Sequence, residues 1–133
     1  MNSTSLSQTG FTRWMAFKPD SEGVLLSALP ATPGVFVLRR RRPCVHLRRQ
    51  SDIAYIGVGA NRNGLRARIQ QCFHPGPTQT TNQRILAAIG ESDGYEVGWR
   101  ECSDEGAAQK TKHDLLDWYQ RDYGELPPLC RRR

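Results

Sequence analysis

The residues best placed to do chemistry lie between Ser51 and His74, in SDIAYIGVGANRNGLRARIQQCFH. Ile53, Tyr55 and Ile56 have the β-branched and aromatic character of a short strand. Gly57, Gly59 and Gly64 supply a permissive backbone for a tight exit. A helix then follows with Leu65, Arg68, Ile69 and Cys72 at spacings of three and four, which puts all four on one face. An arginine in an apolar stripe just after a glycine turn suits a phosphate. The other reading is an arginine whose stem packs while its head snorkels to water.

A second concentration of chemistry is the run 39–49, RRRRPCVHLRR, with six arginines and a histidine. Arginine makes bidentate contacts to phosphate, so Arg39, Arg40, Arg41, Arg42, Arg48 and Arg49, with Arg62 and Arg66 further on, are candidate nucleic-acid contacts. Such contacts position a nucleic acid without reading its sequence. Pro43 argues against a central strand, so this run is expected as a loop or frayed hairpin. Cys44-Val45-His46 and Cys72-Phe73-His74 offer two cysteines and two histidines, but the spacing matches no common structural zinc pattern. No C-x-x-C pair exists, and the four cysteines read as free thiols in a reducing compartment.

These residues need a frame. At 133 residues and a formal charge of +6, the chain has the size of one domain and the charge of a partner for polyanions. It has no apolar run of membrane-spanning length and no basic-then-apolar leader, so it is expected in the cytoplasm. Phe11, Trp14, Met15 and Phe17 are close enough together to dock on a core. A short helix is expected over 22–29, stopping before Pro30, and a first strand over 35–40. A helix over 81–89 places Ile85, Leu86 and Ile89 inward and ends at Gly90. A strand over 94–102 alternates Tyr95, Val97 and Trp99 against Glu96, Gly98 and Arg100. Ser103 is expected to cap a last helix that carries Ala108, Lys112, Leu115 and Tyr119 on one stripe and ends at Gly124. The order strand, strand, helix, helix, strand, helix predicts an α/β fold of the α+β type: a small three-stranded, mainly antiparallel sheet flanked by helices.

Pro33-Gly34-Val35-Phe36, then Ala54-Tyr55-Ile56-Gly57, then Leu65-Arg66-Ala67-Arg68-Ile69 resembles the GIY-YIG nuclease superfamily. Leu115-Leu116-x-x-Tyr119 and Glu125-Leu126-Pro127-Pro128-Leu129 resemble the end of such domains. The resemblance spans 33–130, leaving 1–32 as an extension packed on the core and 131–133 as a basic tail. It implies hydrolysis of DNA phosphodiesters, branched or nicked DNA included, with one Mg²⁺ or Mn²⁺. It also implies that Tyr55 stands near the attacking water and that Arg68 holds the scissile phosphate.

Several positions depart from the family pattern. Phe36 replaces the first-motif tyrosine, Val58 follows the second motif, Cys72 stands at a frequent histidine or tyrosine position, and Cys130 replaces a closing asparagine. Lys112 aligns with the metal-binding glutamate, and a cation cannot ligate a hard divalent ion. Asp114 points about 200° away around the helix. A slip of one residue would put His113 at that position.

Three functions follow. One is a working nuclease with an unrecognised carboxylate such as Glu101 or Asp117 on the metal. The second is a nuclease-like domain reduced to binding nucleic acid, and the third is a basic module for an acidic protein partner.

Overall fold

The computed structural model describes residues 1–45, 50–60, 63–91 and 94–132, with 43–45 described by their backbone alone. Four strands form one sheet: β1 (Trp14–Ala16), β2 (Gly34–Val45), β3 (Gln50–Gly59) and β4 (Tyr95–Glu101). Their order is β1-β4-β2-β3, and every neighbouring pair is antiparallel. Five α-helices accompany them among the described residues: α1 (Ser3–Leu6), α2 (Glu22–Ala28), α3 (Gly64–Phe73), α4 (Thr80–Glu91) and α5 (Glu105–Tyr123).

The sheet therefore has a fourth strand where three were expected. Three residues are too short for a period-2 pattern to stand out. Trp14, Met15 and Ala16 pair with Gly98, Val97 and Glu96, and the Trp14 ring lies over Gly98, where an added Cβ would come within 2.9 Å.

Of the loop or frayed hairpin expected over the arginine run, the described residues show irregularly paired strand and no loop. β2 continues through Pro43 to Val45. Arg39 opposes Ile53 and Cys44 opposes Ser51, so five steps along β2 meet only two along β3. That irregularity is a bulge, the setting in which a strand tolerates proline, and pairing with β4 has already run out at Arg40. Residues 46–49 lie outside the described residues.

Alternation along β2 and β3 sends side chains to two cores. On one face Phe36, Leu38 and Tyr55 pack with Leu25, Leu65, Ile69, Cys72, Ile85 and Ile89 from α2, α3 and α4. On the other, Val35, Val37 and Ile56 pack with Leu115, Leu116 and Tyr119 of α5 and with Leu6 and Phe11 of the N-terminal segment. Each such side chain removed from water contributes about 1.5–3 kcal/mol. The sheet is thus covered on both faces, and β3 is an edge strand between α3 and α5.

Local chemistry sets the ends of the elements. Asp104, not Ser103, caps α5, its Oδ1 accepting from the Ala107 amide at 2.7 Å. Gly124 closes the helix at φ +74°. Gly90 does not stop α4, which runs to Glu91. Gly64 opens α3 at φ +51° with Thr32 carbonyl oxygen 2.0 Å from where a Cβ would stand, so no larger residue fits.

Candidate nucleic-acid interface

At the β3 edge, Tyr55 projects from the strand and Arg68 from the second turn of α3. Arg68 Nη2 donates to Tyr55 Oη at 3.2 Å, while Nη1 donates to Asn82 Oδ1 at 2.6 Å and to Cys72 Sγ at 3.3 Å. The guanidinium also stands over the Phe36 ring, 5.2 Å from its centroid. Phe36 and Tyr55 are tilted rings 5.6 Å apart. Gly57 makes that pair possible, because a Cβ there would fall 2.6 Å from both Phe36 Cζ and Tyr55 Cε2.

Asn82 is a site residue that sequence reasoning missed. It is 6% exposed and sits on the inner face of α4 with Ile85 and Ile89. Arg68 offers only donors, so the Asn82 carbonyl oxygen must face it. Asn82 Nδ2 in turn donates to Gln79 Oε1, which also accepts the Gly76 amide. The break after α3 thereby holds Asn82, and Asn82 holds Arg68. A polar residue on an otherwise apolar helical stripe was the available signal.

Tyr55 lines two cavities. One, of about 250 Å³, is walled by Val58, Ala67, Arg68 and Gln71 on one side and by Gln109 and Lys112 of α5 on the other. Lys112, rather than His113, therefore joins Gln109 in the cleft; His113 lies 3.7 Å from Asp117. The other, of about 310 Å³, is lined by Thr80, Thr81, Arg84, Cys130, Arg131 and Arg132. Neither cavity has a carboxylate in its lining among the described residues.

Burial raises the Tyr55 phenol above its ordinary pKa, with Arg68 opposing. Burial likewise raises the thiols of Cys72, against Arg68, and of Cys130, against Lys112 and Arg84 among other lesser causes. Near neutral pH all three stay protonated, and Tyr55 keeps a hydroxyl hydrogen to donate.

A divalent ion of the implied kind requires hard oxygen ligands. This cleft offers a phenol, two carboxamides and two cations, and the residues do not fit the ion. Glu101 bonds Thr32 Oγ1 at 2.8 Å, Asp114 pairs with Lys110 at 3.0 Å, and Asp117 lies with Asp114 on a separate cavity. No group of three or more His, Cys, Asp or Glu suited to a metal occurs among the described residues. The Cys72 sulfur faces Arg68 while the His74 ring bonds Glu22 at 2.7 Å, so these two diverge.

The described part of the arginine run lies elsewhere. Arg39 stacks on Trp14 at 4.2 Å and pairs with Glu96 at 2.9 Å. Arg39, Arg40 and Arg41 line a separate cavity of about 440 Å³ that also contains Asp52 and Glu96. Arg42 is exposed beyond them. Arg66 donates from Nε and Nη2 to the Leu29 carbonyl, at 3.1 and 2.9 Å, which satisfies the C-terminal end of α2. Arg39 and Arg66 thus have structural partners that a charge count does not show. Arg48, Arg49 and Arg62 lie outside the described residues. No helix among the described residues is long and apolar enough to cross a membrane.

No family model, curated protein or solved structure matches this chain.

Proposed function

We propose that the chain is a nucleic-acid-binding domain on a GIY-YIG-like frame, holding backbone phosphate in the Tyr55–Arg68–Lys112 cleft without cutting it. The observation that carries this reading is the cleft lining: two cations and a protonated phenol converge, and no carboxylate accompanies them among the described residues. Arg68 supplies a planar pair of donors already oriented by Asn82, Lys112 supplies a second positive charge, and Tyr55 supplies a neutral donor. The motif order around Tyr55 and Arg68 supports the nuclease ancestry. Lys112 at the aligned glutamate position supports binding in place of hydrolysis, since the second charge neutralises phosphate where a metal would have.

Fluorescence anisotropy with labelled DNA tests it. Binding should weaken steeply with salt. Arg68→Gln and Lys112→Gln should each lower affinity about tenfold, a loss of about 1.4 kcal/mol. Wild-type binding that is indifferent to salt, or to both substitutions, would overturn the reading.

A further inference from the structure

The cavity on the far side of Tyr55 has no part in the binding proposed for the first cleft, and the tail 131–133 had no expected role beyond charge. Arg84, Arg131 and Arg132 all line this cavity. Arg84 is oriented by its Nη2 bond to Thr81 Oγ1 at 3.1 Å. Arg131 and Arg132 follow directly on an anchored segment. Leu129 donates its amide to the Ala54 carbonyl of β3 at 3.0 Å, and the Cys130 amide closes a turn onto the Pro127 carbonyl at 2.9 Å. Leu129 and Cys130 pack against the core cluster that contains Tyr55, and Cys130 Sγ lies 3.9 Å from the Ile56 carbonyl oxygen. The two arginines therefore start from a fixed point on the β3 edge, unlike those of a solvated tail. Thr80 and Thr81 add hydroxyl groups to the same lining.

We infer that Arg84, Arg131 and Arg132 form a second phosphate subsite that adjoins the first across Tyr55, so that the interface takes neighbouring phosphates of one nucleic-acid strand running along the β3 edge. This rests on the first cleft being a phosphate site. Tyr55 is the wall common to both cavities, with Lys112 lining the first and Arg84 and Cys130 lining the second. A single phosphate engages one lobe. A strand engages both, which selects a polynucleotide over a mononucleotide or free phosphate.

The test is the salt dependence of binding to a short fluorescein-labelled single-stranded oligonucleotide. The comparison is wild type, Arg131→Gln/Arg132→Gln, Arg84→Gln, Arg68→Gln, and a charge-matched control, Arg13→Gln/Lys18→Gln, beside the opposite sheet edge. The log–log slope should fall by about 0.7 for each phosphate that the tail variant no longer neutralises. Arg84→Gln should shift it in the same direction, and the control should keep the wild-type slope. A tail variant with the slope of the control, while Arg68→Gln still weakens binding, would overturn the second subsite and leave the first cleft standing. Wild-type protein that fails to bind at low salt would overturn both the first cleft and the second subsite.

Discussion

Arg68 is held at three points at once, by Tyr55 Oη, Asn82 Oδ1 and Cys72 Sγ, over the face of Phe36. Such a guanidinium presents its remaining donors in one direction, and so loses little freedom when a phosphate arrives. Asn82 is the strongest of these supports. A charge-assisted hydrogen bond is worth about 1.5–3 kcal/mol. Asn82→Ala should therefore weaken DNA binding at least about tenfold although Asn82 itself touches no ligand, and should add little further loss on top of Arg68→Gln. Anisotropy titrations of Asn82→Ala, Arg68→Gln and the double variant check this, and losses that simply add would remove the positioning role. The raised pKa values of Tyr55, Cys72 and Cys130 have a direction to test as well. Each group keeps its proton longer when folded, so the stability it contributes is present below its unfolded pKa and lost as pH rises through the folded value. Urea midpoints should hold from pH 7 to about 9 and fall above it. Cys72→Ser/Cys130→Ser should flatten that fall, and a profile identical to wild type would contradict the assignment.

At the scale of elements, the site exists because β3 is an edge strand with α3 on one side and α5 on the other. Gly57 sets the closeness of Phe36 and Tyr55, so Gly57→Ala should cost about 1–3 kcal/mol by overpacking and should weaken binding, as read by denaturant midpoint and titration together. Asp104→Ala should cost about 1 kcal/mol of stability with little effect on binding, because the cap lies about two helical turns from Lys112. Much of this frame was legible from residues alone. The β3–turn–α3 unit, the α5 stripe and the Gly124 stop follow from periodicity and capping chemistry. The Trp14–Ala16 strand was not legible, because three residues carry no period. The bulged passage through Pro43 was not legible either, because proline signals a broken ladder without saying on which side partners are missing.

For the molecule as a whole, a charge of +6 says nothing of which arginines the fold has already engaged. Arg39 and Arg66 are bound up in the fold, while Arg84, Arg131 and Arg132 gather at Tyr55 through contacts between distant segments. The strand of Tyr55 and the helix of Arg68 were readable from residue types and spacing, and the motif resemblance singled out the two residues together. Asn82 and the C-terminal arginines were not, since only the packing of α4 and the Leu129–Ala54 bond bring them there. With Lys112 in the cleft, the chain should bind nucleic acid without hydrolysing it. The sharpest test incubates the protein with supercoiled plasmid in Mg²⁺ or Mn²⁺ and reads gel mobility and nicked circles from the same samples. Binding alone predicts retarded plasmid at low salt with no nicked product. Nicking that disappears in Arg68→Ala would contradict it and show a working nuclease.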